Sequence, residues 1–404
     1  MSAARISGGA SQRRPHAPDA APPEPDEAAR THSGRVHDAL VAAIDAGGGF
    51  LPLREYIAFA LYAPGLGYYA AGAHKLGSAG DFTPAPELTP LFAHALAPTV
   101  GAILDSSRGR EIVELGAGSG RLAVDLVQAL ERAGGAPSGY AIVEPSPDLR
   151  ERQRELVVRE LPAWRDRVRW LDAPPERIDG AVMMNEVLDA IPPHVVSRVG
   201  GAWHERGVTL GRDGALTLAD GALADARVLR AARERFPPDG DYTSELNLAA
   251  EALVEDLGRR LAGGAIVAID YGFPRREYYH PDRREGTLMA HYRHRATSDP
   301  FVWPGLADLT AHVDFTAIAE AGARAGLGVA GYASQAAFLI GAGILDRLAE
   351  SGEPLSPAYL RHAAAVQMLL SPAEMGELFK VIALERGTAI RWDAFARNDA
   401  SHKL

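Results

Sequence analysis

The chain has 404 residues, no cysteine, and 42 Lys plus Arg against 52 Asp plus Glu, a formal net charge of −10. Without Cys there are no disulfide scaffolds, thiolate nucleophiles, Cys-ligated zinc or iron–sulfur clusters, and the net negative charge disfavours nucleic acid unless a basic face is segregated. With 47% hydrophobic residues the chain can build a sizeable core, but its longest apolar runs, 261–269 and 336–345, fall well short of a membrane helix.

Residues 1–32 carry Pro15, Pro18, Pro22, Pro23 and Pro25 and few large apolar side chains, which predicts a disordered tail. They lack the apolar run of a signal peptide. Asp19, Glu24, Asp26 and Glu27 argue against an acid-poor mitochondrial transit peptide, so the expected location is cytoplasmic. Residues 33–105 read as helical pieces broken by Gly and Pro, an N-terminal cap; one helix is expected at 53–61, before the loop Ala63-Pro64-Gly65-Leu66-Gly67-Tyr68-Tyr69. From 106 the pattern changes. Strands are predicted at 111–115, 140–143, 168–171, 180–184 and 265–269, and helices at 121–133, 147–158 and 245–261. Such alternation predicts an α/β fold, a mostly parallel doubly wound sheet covered by helices on both faces. Residues 195–244 interrupt it as an inserted antiparallel hairpin element, with strands at 195–199, 202–206 and 215–218. The core resumes over 245–390, contains a basic, aromatic insertion at 273–315, and ends in a tail at 391–404.

Gly116, Gly118 and Gly120 fall where the first predicted core strand meets its helix, so main-chain amides there can approach a ligand closely. A dinucleotide fingerprint wants its third glycine at 121, where Arg121 stands. Glu114, two residues before the first glycine, can reach the amino group of a cationic amino-acid cofactor; S-adenosylmethionine fits this better than NAD. Alone, a GxGxG turn is also compatible with a tight βα turn that holds nothing. Glu144 ends the next strand, where a carboxylate can accept both ribose hydroxyls, and Asp172 ends the third, where it could accept from the adenine amino group. Each taken singly is also an ordinary strand-end acid or helix cap. After the fourth strand, Asn185, Glu186 and Asp189 fall beside the expected cofactor position, where an acceptor must arrive. Methyl transfer is an in-line displacement, which needs alignment and electrostatic match, and paired carboxylates suit a cationic or amine acceptor.

The sequence resembles the class I, S-adenosylmethionine-dependent MidA-like methyltransferases, a family that includes the mitochondrial assembly-factor methyltransferase of respiratory complex I. The resemblance is carried by Gly67-Tyr68-Tyr69, Gly80-Asp81-Phe82-Thr83, Ala85-Pro86-Glu87-Leu88, the Glu114 to Leu122 turn, Glu144-Pro145-Ser146, Asn185 to Ala190, Ile269-Asp270-Tyr271-Gly272, Tyr278-Tyr279-His280-Pro281 and His312-Val313-Asp314-Phe315. It implies a Rossmann-like class I fold with a seven-stranded, mostly parallel sheet. It further implies that Gly80, Phe82 and Thr83 fold over S-adenosylmethionine, that Gly116, Gly118 and Glu144 bind it, and that Asn185 and Glu186 line the reaction centre. The acceptor implied is a protein arginine, in the mitochondrial members on a complex I core subunit, and Glu186 with Asp189 or Asp81 would hold its guanidinium. Pro84 departs from the small hydroxyl residue expected after Gly-Asp-Phe-Thr. Two other readings stay open: a cofactor-binding assembly chaperone without turnover, and a small-molecule methyltransferase.

Arg275, Arg276, Arg283, Arg284, Arg293 and Arg295 stand among Tyr278, Tyr279 and Tyr292, a mixture that could touch RNA; it reads better as a polar insertion that closes over the crevice and pairs its own charges. His291 and His294 could share a helical face, but with no third ligand nearby no metal is expected. Ala336, Phe338, Leu339 and Ile340 read as core.

Overall fold

The computed structural model describes residues 22–70, 83–387 and 390–404. Its central sheet contains β1 (Glu111–Leu115), β2 (Gly139–Val143), β3 (Val168–Leu171), β4 (Ile178–Asn185), β5 (Leu261–Phe273), β6 (Gly328–Ser334) and β7 (Phe379–Arg386). They lie in the order β3-β2-β1-β4-β5-β7-β6, and Val313–Asp314 adds a short eighth strand beside the end of β5. Neighbours from β3 to β5 are parallel, and β7 runs antiparallel to both β5 and β6. This is the Rossmann-like class I sheet expected.

Strands buried on both faces need apolar residues at successive positions, and the interior strands β2, β4 and β5 have them. Ala265, Val267 and Ile269 of β5 pack into the core under Leu96, Val100, Leu126 and Phe338, while the alternating Ile266 and Ala268 meet Val254, Leu257, Phe315 and Ile318 on the other face. The chain proceeds from β1 outward through β2 and β3, then returns to place β4 on the other side of β1. Connections therefore diverge between β1 and β4, and a crevice opens at the carboxyl ends of these strands.

Several boundaries differ from the sequence reading. The expected tail at 1–32 gives way at Glu27 to a helix, Glu27–Ala46, capped by Asp26 and held by the buried stripe Val36, Leu40 and Ile44. The inserted hairpins are longer than expected: His194–Val199, Ala202–Leu210, Leu216–Ala222 and Tyr242–Leu246 form an antiparallel sheet with Leu51–Pro52. Glu245 thus belongs to a strand. The helix after it, Leu248–Arg260, starts at an Asn247 cap, and Leu261 already begins β5. In the 273–315 insertion, Met289–Tyr292, Arg295–Thr297 and Asp308–Thr310 make a three-stranded sheet. His291 lies on a strand and His294 in its hairpin turn at φ 60°, so they share no helical face. Arg275 is paired with Asp314 and Glu320, and Arg283 lies over the Phe273 ring. Ala336, Phe338 and Leu339 are buried on the helix Gln335–Gly341, whereas Ile340 is 48% exposed and is not core.

Candidate functional site

The glycine turn follows β1. Gly116 and Gly118 take φ of 62° and 54°, the left-handed region in which a Cβ is strained. A Cβ on Gly116 would lie 3.1 Å from Val187 Cγ2, so the turn is pressed against the segment leaving β4. Gln153, fully buried on the helix Pro147–Glu160, donates through Nε2 to the Gly118 carbonyl at 2.9 Å and accepts from Trp170 Nε1 at 3.0 Å. This strut went unnoticed in the sequence, because the partners are far apart in the chain. Gly120 is the N-cap of the helix Arg121–Arg132 and packs against Gln153; it does not line the cavity described below.

Glu114, buried near the end of β1, accepts from the Tyr140 hydroxyl at 2.7 Å. Burial pushes its carboxyl up to about 7, against the pull of that hydroxyl, and Glu144 adds to the rise. Glu144 is also buried; its Oε1 accepts from the Ser146 amide at 2.9 Å, and burial raises it too. Asp172 is on the rim, its side chain 93% exposed and ion-paired with Arg150, which also donates to the Glu144 and Leu171 carbonyls. It acts as part of this strut between strand ends.

Beyond β4 the chain turns sharply at Glu186, a non-glycine residue at φ 55°. Asn185 Nδ2 donates to Glu186 Oε1 at 3.0 Å. Burial, then the charge of Asp189, pushes Glu186 up to about 8; Asp308 adds to this, while Asn185 and the Ala85 amide oppose it. Asp189 is raised to about 6 by burial, opposed by the Tyr271 hydroxyl. Asp308, from the three-stranded sheet, accepts from the Tyr69 hydroxyl at 3.1 and 3.0 Å on its two oxygens, and Tyr69 stacks on Tyr62 at 5.5 Å between ring centroids. The sequence reading missed Asp308, Tyr62 and Tyr140; the Gly67-Tyr68-Tyr69 block was noted, but its partner lies 239 residues away.

One cavity of about 950 Å³ joins these groups, running from the glycine turn, Glu114 and Glu144 to Glu186, Asp189 and Asp308. Pro84 and Glu87 line it, and Glu87 accepts from the Ser119 hydroxyl of the glycine turn. Thr83 opens this described segment but does not line the cavity; Gly80, Asp81 and Phe82 lie outside the described residues. The donor set fits S-adenosylmethionine. A positive-φ turn admits close main-chain approach, and a buried carboxyl near neutrality at Glu114 would regain its charge beside an ammonium. Among the described residues no group of three or more His, Asp or Glu is placed to hold a metal ion, and no helix is long and apolar enough to cross a membrane.

Comparison with known proteins points the same way. Residues 91–333 match the family model described as S-adenosyl-L-methionine-dependent methyltransferase. The chain is 28% identical over 423 residues to the mitochondrial protein arginine methyltransferase NDUFAF7 homolog of Drosophila melanogaster, covering 93% of each. It is 26% identical over 390 residues to the mitochondrial protein arginine methyltransferase NDUFAF7 of Homo sapiens, covering 88% of this chain and 84% of that one. The crystal structure of a COG1565 superfamily member from Burkholderia thailandensis bound to S-adenosyl-homocysteine is 48% identical, with a TM-score of 0.89 over 95% of this chain and 100% of that one. The mitochondrial designation of the fly and human relatives overturns the cytoplasmic expectation, which rested on a few acidic residues in 1–32.

Proposed function

The chain belongs to the S-adenosyl-L-methionine-dependent, MidA-like methyltransferases, and from that premise we propose that it methylates a guanidino nitrogen of an arginine side chain in a protein. The observation that carries this reading is the polarity of the cavity beyond β4. Among the described residues, the buried acceptors Asn185 Oδ1 and Asp189 Oδ1 have no donor, and the Glu186 carboxyl stands beside them. A planar cation with several N–H groups satisfies such a set, which an alcohol or carboxylate acceptor would not. The names of the fly and human relatives as protein arginine methyltransferases support it.

S-adenosylmethionine, when bound, supplies a methyl group on a positively charged sulfur. In this assignment Glu114 holds its amino group, the main chain at Gly116 and Gly118 allows its close approach, Glu144 accepts from its ribose hydroxyls, and Asn185 stands between it and the acceptor. Glu186 and Asp189 hold the guanidinium and fix the direction of the attacking nitrogen, which supplies most of what an in-line displacement requires. The proton that this nitrogen sheds as its bond to carbon forms passes to one carboxylate of the pair. Tyr62 and Tyr69 offer flat walls for the arginine stem, and Asp308 a further negative charge. Following the family resemblance, a respiratory-complex subunit is the first acceptor to try.

The test is calorimetric binding of N-acetyl-arginine amide, and of its neutral isostere N-acetyl-citrulline amide, to protein preloaded with S-adenosylhomocysteine. Binding of the arginine compound alone, lost in Glu186→Gln, supports the reading; equal binding of the two sinks it.

A further inference from the structure

Asp270, in the Ile269-Asp270-Tyr271-Gly272 block, has none of the roles assigned above, yet it is 1% exposed and among the described residues carries no ion pair. Its Oδ2 accepts from three consecutive main-chain amides, Val187 at 3.1 Å, Leu188 at 2.9 Å and Asp189 at 3.3 Å, and its Oδ1 from the Tyr271 amide at 2.9 Å. Successive amides converging on one anion form a nest, the arrangement by which a backbone holds a negative charge. The nest begins directly after Glu186 at its strained φ of 55°, and the Glu186 amide is itself held by the Ile269 carbonyl at 2.9 Å. Strain of this kind persists only where the surroundings over-determine it.

We propose that Asp270 is a positioning residue for the acceptor carboxylates: its side chain is the acceptor around which the 187–189 turn is built, and through that turn it sets where Glu186 and Asp189 point. The inference rests on the reading of those two carboxylates as the acceptor-holding pair. It also gives each residue of the motif a task. Tyr271 faces the Asp189 carboxyl with its hydroxyl, and a Cβ on Gly272 would lie 2.1 Å from the Val313 carbonyl, so only glycine permits the pairing of Gly272 with Val313 that brings the His312-Val313-Asp314 segment against β5.

Burial, then the charges of Asp189 and Glu186, raise the Asp270 carboxyl well above its ordinary range, against the pull of the Leu188 and Tyr271 amides. Glu186 faces Asp189, Asp308 and Asp270, with the Asn185 amide group and the Ala85 N–H opposing them; Asp189 faces Asp270, Glu186 and the Tyr271 hydroxyl. The charges of Glu186 and Asp189 raise Asp270, whereas Asp270 raises neither of them, so its hold on them runs through the turn that it anchors.

The experiment is NMR of the full chain loaded with S-adenosylhomocysteine, carrying ¹³C in its Asp and Glu carboxyls and ¹⁵N in its amides. In the parent protein the Val187, Leu188 and Asp189 amide resonances are expected to move together with the Asp270 carboxyl as pH changes. In Asp270→Asn, which keeps one acceptor for the three amides, the Glu186 midpoint should stay within about half a unit of the parent's, whereas in Asp270→Ala it should fall by at least about one unit as Glu186 and Asp189 lose their fixed placement. In Asp270→Ala the same three amides should exchange at least about tenfold faster while those of β1 hold their protection. A Glu186 midpoint that moves equally in the two variants, or retained protection in Asp270→Ala, overturns the proposal. Should both variants fail to fold, the parent titration decides: amides that follow a different carboxyl overturn it. No acceptor enters the experiment, so failure of the arginine reading leaves these outcomes intact.

Discussion

Replacing Glu186 with Gln should stabilise the ligand-free protein at alkaline pH while crippling its capture of the acceptor. Burial and Asp189 raise the Glu186 carboxyl from 4.5 to about 8. A carboxyl whose pKa is higher folded than unfolded favours the folded chain below pH about 4.5, and that support is lost as pH rises through about 8. At pH 8 the full shift corresponds to roughly 4 kcal/mol. Glu186 opens onto a cavity that admits water, which screens part of it, so about 2 kcal/mol is the working figure. For a chain of 404 residues the unfolding entropy is about 0.8 kcal/mol per degree, so Glu186→Gln should raise Tm by about 2–3 °C at pH 8.5 and by nothing measurable at pH 4.5. Differential scanning calorimetry at the two pH values reads this directly. A Tm at pH 8.5 equal to or below that of the parent would refute the view that Glu186 is a buried charge maintained for function at the expense of stability.

Gly118→Val should abolish S-adenosylhomocysteine binding measured by calorimetry, because Gly118 lines the cavity at φ 54° and a branched side chain is strained there; retained affinity would show that the glycine turn does not hold the cofactor. Tyr140→Phe removes the hydroxyl donor to Glu114 and should weaken S-adenosylmethionine binding about tenfold with little change in acceptor affinity, which titration of each ligand separately would check. Affinity for N-acetyl-arginine amide should rise with pH between about 6 and 8, as Asp189 and Glu186 lose their protons while the guanidinium stays charged; a flat profile contradicts their role. Truncating Arg235 to Ala uncouples its bidentate pair with buried Glu251, leaving that carboxylate Arg324 alone among the described residues, and should lower stability to chemical denaturation by about 2–3 kcal/mol.

Much of the core was legible because strands buried on both faces must be apolar at consecutive positions: 111–115 and 140–143 end in the structure where the apolar runs end in the sequence. Carboxylates at strand ends were legible for a related reason, since a charged residue closing an apolar run has to meet the crevice or water. The antiparallel insertion was harder. Its strands are solvated on one side and continue into polar residues, so only their apolar beginnings stood out, and the contribution of Leu51–Pro52 left no local mark. The helix from Glu27 was hidden by the prolines before it, although Asp26 is a cap and Val36, Leu40 and Ile44 recur at helical spacing. Asp270 was recognisable only as a member of a conspicuous block and Asp308 not at all, because their meaning depends on amides and hydroxyls contributed from 81 to 239 residues away.

Methyl transfer to an arginine nitrogen is the central proposal. It is tested most directly by incubating the purified chain, S-adenosylmethionine labelled in its methyl group, and a protein extract, then hydrolysing the extract in acid and separating the amino acids. Label in methylated arginines, absent when the chain carries Glu186→Gln, is the result predicted. Label in lysine, in base-labile esters or in small molecules alone would contradict it.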